Sequence, residues 1–451
     1  MDNNSKSVAD FLGLDKGAVE EVQSLRVGDN VVVRVKMREG ERKCPGCGSN
    51  NVKFKEYHTR KLISPLFQNM GCTVMMKERR YVCRLCGKSY YEDIPLAAGS
   101  AKVTQEMVYT VLKKLQDYNT TFANVARDLR VSPTAVADIF DRFYNPKRER
   151  MPELLCIDEC YLKGNFEKPY ALVLFNWANG RIVDVLEGRE KVSISKYLFE
   201  VPAEERERVE VVCIDMWETY LELSRRYFKN AIVVVDSFHV IKNMNAALDR
   251  VRCRVMNSLD RGSDEYHYLK KYHWTLFKIA ADRTGKRFRD RATRAYVTIQ
   301  EVLNKILATS EELLRAYEIC YEYRVFNKLP HTKGEAYKKI DRIVAEIAEA
   351  GVEELYEFAG TLANWRDCIA ESFEQRVEQR RVSNGPIEGF NSYFKESLFV
   401  TRGMANFQRF RDRLILANRK EIELSPTQKT RKRKGRKRGK YRKKKAAKNE
   451  S

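Results

Sequence analysis

Apolar residues along this chain of 451 keep two rhythms, and the switches between them divide it into stretches of different character. From "DNVVVRVKMREGERKCPGCGSNNVKF" through "KERRYVCRLCGKSYYEDIP" they alternate with polar ones, which predicts short strands around turns. From about Lys102 to Tyr144 the spacing becomes helical. Next come "LLCIDECYLKG" and "YALVLFNWANGRIVDVLEG", in which "ANGR" between two apolar runs signals a hairpin. The runs "VEVVCIDM" and "NAIVVVDSFHV" follow, separated by the helically spaced "WETYLELSRRYFK". Continuous apolar strands alternating with helices predict a sheet buried on both faces. After Lys242 the text is polar and helical to about Gln379, with "ADRTGKRFRDRATRAYV" and "VAEIAEAGVEELYEFAGTLANWRD" as its clearest pieces. It reads as an all-helical insertion. The stretch "RVSNGPIEGFNSYFKES", from Arg381, then offers turn formers, Glu388 and a further helix.

Charge narrows the class of partner. A net charge of +22 predicts an acidic polymer, most simply nucleic acid, because neutralising phosphates dominates such binding. Residues 425–451 hold 14 Lys and Arg against one Glu, so the last stretch reads as a disordered basic tail. The remainder is still basic. No apolar run has the length of a membrane span, and the first residues, "MDNNSKSVADFLGLDKG", lack the basic-then-apolar order of a leader, so a cytoplasmic protein is expected.

Cysteine usage points to metal. Of 11 Cys, four form the pairs "CPGCGSN" (Cys44, Cys47) and "CRLCGKS" (Cys83, Cys86). Each pair turns two thiolates toward one ion, and two such knuckles complete a tetrahedron, so a structural Zn²⁺ is expected. Four sulfurs fill that site, which leaves His58 as a surface or packing residue. Downstream, "TTFANVARDLRVSPTAVADIFDRF" reads as helix, tight turn, helix. Ala126 and Leu129 would pack against Val136 and Ile139, Val131 would close the turn, and Ser132 would cap a helix begun by Pro133. As a DNA-binding helix-turn-helix, the second helix would enter a major groove with Ser132, Thr134, Ala135, Asp138 and Arg142 toward the DNA. The alternative is a plain helical hairpin.

Carboxylates supply the candidate chemistry. Asp158 ends "LLCID" and Asp215 ends "VVCID", where acids emerge at the rim of a sheet. Two unpaired carboxylates brought together favour a shared hard cation, Mg²⁺ or Mn²⁺. Glu388 either caps its helix or adds a third carboxylate, with Asn391 and Lys395 on the same face at i+3 and i+7.

In this order, zinc module, helix-turn-helix, "IDECYLKG", "IDMWETY", "VVVDSFHVIKNMN", "NGPIEGFNSYFKE" and "RGMANFQRFRDRLIL", the chain resembles the ISL-three family of DDE transposases of bacterial insertion sequences, over about Cys44 to Asn418. The resemblance implies a ribonuclease-H-like catalytic domain interrupted by helices before its last acid, in a multidomain α+β protein. It implies a catalytic triad Asp158, Asp215 and Glu388 holding Mg²⁺ or Mn²⁺, with Asp236 as a rival second acid. Asp236 and His239 would otherwise match an accessory D-x-x-H motif, beside Asn391 and Lys395, while Glu159 should face away. The expected domains are 1–98 with the zinc module, 99–146 the helix-turn-helix, 147–242 the first part of the catalytic core, 243–379 the insertion, 380–424 the last part of the core, and 425–451 the tail. The implied partners are the element's terminal inverted repeats, target DNA, and a second copy of the chain, at the bacterial nucleoid. A catalytically inactive DNA-binding regulator is the alternative.

Overall fold

The computed structural model describes residues 3–162, 166–280, 283–290, 294–400 and 406–422, with side chains from Ser7 onward. The basic tail lies outside them. Two compact units result, one ending at Pro146 and including the described residues from Lys420, the other spanning Lys147–Arg419. Among the described residues, no helix is long and apolar enough to cross a membrane.

The first unit opens with α1 (Asn3–Phe11) and a sheet of β1 (Val19–Val27), β2 (Asn30–Met37), β3 (Val52–Phe67), β4 (Met70–Cys83) and β5 (Ser89–Tyr91). The order is β1-β2-β4-β3, with β5 on β4. Period-two patterning works as expected in β2, where Val31, Val33, Val35 and Met37 are buried and pack with Leu62, Val74 and Met76 beneath Ala9 of α1. Two strands are far longer than the short ones expected: β3 has 16 residues and β4 has 14. They join through Gln68 and Asn69, both at positive φ. Such a two-residue turn matches strand twist and lets a long ribbon form without a loop. The residues 99–146 that sequence separates from the zinc module fall in this same unit. They form α2 (Gln105–Lys114), α3 (Phe122–Asp128) and α4 (Pro133–Phe143), N-capped by Thr104, Thr121 and Ser132. Ala126, Leu129, Val136 and Ile139 are buried, and Arg130 at positive φ turns the chain between α3 and α4.

The second unit is built on β6 (Leu154–Tyr161), the hairpin β7 (Tyr170–Asn176) and β8 (Arg181–Glu187), then α5 (Lys191–Glu200), α6 (Ala203–Glu207), β9 (Val211–Ile214), α7 (Glu218–Tyr227) and β10 (Ile232–Val235). The sheet order is β10-β9-β6-β7-β8, with β6, β9 and β10 mutually parallel and β7 and β8 antiparallel. Helices α8 (Ser237–Asn257), α9 (Asp264–Lys271), α10 (Ile299–Leu307), α11 (Glu311–Lys328), α12 (Lys333–Ala350), α13 (Glu353–Asn364) and α14 (Arg366–Glu374) follow. One apolar core runs from the sheet (Leu172, Val212, Val235) into these helices (Ile340, Phe358, Phe373). Helices thus bury a sheet face that would otherwise be wet.

The insertion is not all helical. In "ADRTGKRFRDRATRAYV", expected as helix, the described residues instead carry β11 (Phe288–Arg289) paired with β12 (Tyr296–Val297). With six Lys and Arg in 17 residues the segment has no apolar stripe to bury, and helices this short depend on one. A second ladder, β13 (Arg376–Val377) with β14 (Arg380–Arg381), turns the chain into α15 (Gly385–Val400). Finally α16 (Phe407–Arg419) covers the outer strand β8: Asn418 Oδ1 accepts from Ile182 N, and Arg419 donates to the carbonyls of Ile182 and Val183. That satisfies an edge that would invite strand pairing.

Candidate active site

Strand register lines up three acids. Cys156 of β6 is level with Cys213 of β9, which is level with Val234 of β10. Two residues further along stand Asp158, within β6, and Asp215 and Asp236, just past the ends of β9 and β10, so continuing the register puts the three in one row on strands about 4.8 Å apart. Each follows a buried apolar run, whose continuation the acid interrupts.

Burial sets the electrostatics of this row. Only 7% of Asp158 is exposed, and desolvation, with Asp215 and Glu388 nearby, pushes its carboxyl up to about 6. Its Oδ1 accepts from Glu159 N at 2.8 Å, and its Oδ2 from Asn391 Nδ2 at 2.8 Å. Asp215 and Asp236 are also raised by burial, with His239 pulling both the other way. Asp236 caps α8 through a 3.3 Å bond from Phe238 N to Oδ1. Its Oδ2, Asp215 Oδ1, and the amide oxygens of Asn384 and Asn391 are buried with no hydrogen-bond partner among the described residues. Four unmatched acceptors beside raised carboxylates form a site short of positive charge. Its donor set of carboxylate and amide oxygens is what a hard divalent cation takes.

Helix α15 lies across the row. Asn391 reaches Asp158 at one end, while one turn earlier Glu388 stands 3.9 Å from His239 Nε2 at the other. Among the described residues, Glu388 makes no side-chain capping bond. Asp236, His239 and Glu388 each bring a ligand atom within 4.8 Å of the others. Asp158 and Asp215 are not in that group; they couple to it through charge. Burial and then Asp236 raise the Glu388 carboxyl, while His239, Lys242 and the exposed Lys395, two turns along α15, pull the other way. Glu159 accepts from Arg189 at 2.6 Å and from the Tyr220 hydroxyl at 3.3 Å, and its charge helps raise Asp215.

Two residues of this centre escape a reading by motif. Asn384, fully buried, donates Nδ2 to the Ile157 carbonyl at 3.3 Å and ties the loop before α15 to the strand bearing Asp158. Arg381 packs 3.8 Å over the Phe373 ring and donates to Asn327 and Ser372; burial pulls its guanidinium down to about 10. The "SNGP" turn signal points at the loop but not at the inward amide.

With this geometry in view, comparison with known proteins is decisive. The ISL3 type of DDE transposase, a family described as "Transposase", matches residues 155–414. The chain belongs to this family. The matched span takes in the acid row, His239 and α15. A relative, the transposase for insertion sequence element IS1001 of Bordetella parapertussis, is 25% identical over 243 residues. The match covers 52% of this chain and 58% of that relative, so the chain spans little more than half its length.

Outside the family match, the first unit gathers Cys44, Cys47, Cys83 and Cys86 into a set able to hold a metal ion. The two knuckles are built alike. Gly48 N donates to the Cys44 carbonyl at 2.9 Å and Gly87 N to that of Cys83 at 3.0 Å, both glycines at φ +73°. A left-handed turn at that position favours glycine, which has no Cβ to clash. Sulfur separations of 3.6 Å, Cys44 to Cys86 and Cys47 to Cys83, approach the roughly 3.8 Å of a tetrahedral zinc thiolate centre. His58 takes no part, bonding Glu78 at 2.7 Å. Of the α4 residues expected at DNA, Ser132, Thr134 and Asp138 are exposed, Ala135 is half-buried, and Arg142 bonds Ser100 at 2.5 Å.

Proposed function

We propose that the chain is the transposase of a bacterial insertion sequence, cutting at the element's terminal inverted repeats and joining the freed ends to target DNA. The observation that carries this is the row of three acids, Asp158 within β6 and Asp215 and Asp236 just past the ends of β9 and β10, with a fourth, Glu388, delivered by α15. The strand order, a three-strand meander followed by two parallel strands, supports a ribonuclease-H-like core.

In this reading Asp158, Asp215 and Glu388 hold Mg²⁺ or Mn²⁺. The bound ions would supply Lewis-acid charge that activates water, and later a 3′-hydroxyl, and stabilises the departing oxygen. Asn391 orients the Asp158 carboxylate, and the exposed Lys395 ammonium meets the phosphate backbone. Helices α3 and α4 act as a helix-turn-helix, and the cysteine set holds structural Zn²⁺ that stiffens the strands beside it. Two ends to be joined call for two copies on DNA. The domain division is that of the sequence reading.

The test is Mg²⁺-dependent cleavage of a plasmid bearing the gene's own flanking DNA. Wild type should cut at discrete positions, while Glu388→Gln should bind the flanks as wild type does and cut none. Binding without cleavage by the wild type would instead identify a DNA-binding regulator.

A further inference from the structure

We infer that Asp236, His239 and Glu388 form a divalent-cation site of their own, one that takes Mn²⁺ in preference to Mg²⁺ because one of its ligands is an imidazole. The inference rests on the reading of this centre as cation-dependent and adds a ligand set to it, with Glu388 shared.

The three ligand atoms already lie within 4.8 Å of one another. At metal–ligand bonds of about 2.1–2.2 Å, neighbouring ligands stand about 3 Å apart and opposite ones a little over 4 Å. From that 4.8 Å limit, side-chain adjustment of about 1 Å or less for each closes the set. A second observation is independent of this proximity. Asp236 is 99% buried, its exposure being 1%, yet its Oδ2 has no hydrogen-bond partner among the described residues. A buried acceptor left unmatched costs about 1–3 kcal/mol unless something outside the chain's own atoms meets it. The surroundings favour a cation as that partner. The Asn384 backbone N–H pulls the Asp236 carboxyl down, but burial outweighs it; the Asn384 amide oxygen is itself buried with no partner among the described residues, and the Glu388 carboxylate faces His239 at 3.9 Å. A simple His–Glu ion pair would leave the Asp236 oxygen unanswered.

Rigid placement suits metal binding too. Asp236 ends β10 and caps α8, His239 follows in the first turn of α8, and Glu388 lies in the first turn of α15, so all three sit on regular elements. Two carboxylates and one imidazole form a mixed oxygen and nitrogen set, which Mn²⁺ accepts readily and Mg²⁺, an oxygen-seeking ion, does not.

The experiment is pulsed electron paramagnetic resonance of Mn²⁺ bound to the full chain, purified without a histidine tag. Expected is nitrogen modulation from a coordinated imidazole, lost in His239→Ala and in His239→Gln together with about a tenfold weakening of Mn²⁺ binding. The chain has only 5 His, so the assignment is direct. Asp158→Asn should retain the nitrogen signal while abolishing cleavage. Manganese bound by the wild type without nitrogen modulation, but weakened by Asp158→Asn, would overturn this inference and leave the catalytic reading standing. A wild type that binds no Mn²⁺ would sink both. The two His239 variants assign the nitrogen to that residue, and if His239→Ala fails to fold, His239→Gln, closer in size and polarity, keeps the result readable.

Discussion

Burial at Asp158 works against its ionisation. Its folded carboxyl titrates at about 6, above the ordinary value near 4, so the unfolded chain releases this proton first. In the metal-free protein the protonated, buried form contributes stability that is present below about pH 4 and lost as pH rises to about 6. Asp158→Asn removes the ionisation. It should stabilise the metal-free protein at pH 7 by on the order of 2–3 kcal/mol, and leave stability at pH 4 nearly unchanged. Thermal melts at the two pH values, with chelator present, check this; equal effects at both would mean that the substitution acts through packing. Residues with no motif of their own matter as much here. Asn391 and Asn384 join α15 and its preceding loop to the strand that carries Asp158, each by one amide hydrogen bond.

Elements explain spacings that a motif leaves odd. The 35 residues between Cys47 and Cys83 are taken up by β3 and β4, a ribbon that leaves its turn and returns to place Cys83 opposite Val52, beside the first knuckle. The long interval therefore sets the two knuckles side by side. With zinc held by the four cysteines as proposed, Cys83→Ser should lose that metal and lower the melting temperature, because metal binding in such a site is part of folding. Elemental analysis of purified protein checks it, with Cys253→Ser, outside the cluster, expected to keep one zinc per chain. At α4, Ser132→Ala removes the bond from Ala135 N to Ser132 Oγ and should cost about 1 kcal/mol. Denaturant unfolding should register the loss in the first unit.

At the scale of the whole molecule, the net charge of +22 bears on the proposed DNA binding. Deleting residues 425–451 removes 14 cations. Each phosphate contact so lost should flatten the salt dependence of DNA affinity by about 0.9 in log–log slope. Binding to random duplex at several salt concentrations measures this, and an unchanged slope would show that the tail makes no phosphate contact.

Much of this protein was legible in one dimension because the relevant signals are local. Period-two and helical spacing placed the β7–β8 hairpin and the helices α12 and α13, and turn chemistry placed Ser132 as a cap. Acids that break apolar runs pointed to Asp158 and Asp215 as chemistry, and the family resemblance pointed to Asp236. The strands β3 and β4 ran longer than their pattern suggested because a two-residue turn needs no loop signal. The basic segment at 288–297 failed as a helix because helical spacing without an apolar stripe has nothing to bury. Which acids meet was outside the reach of sequence, since it depends on contacts between residues some 150 apart. Strand register put Asp236 level with Asp158 and Asp215. The angle at which α15 crosses the strand ends brought Glu388 to His239 and Asp236, and left Asn391 at Asp158. Local chemistry along the chain determines which residue types stand at strand ends and helix starts. Only packing of the helices on the sheet decides which of them share one cation's reach.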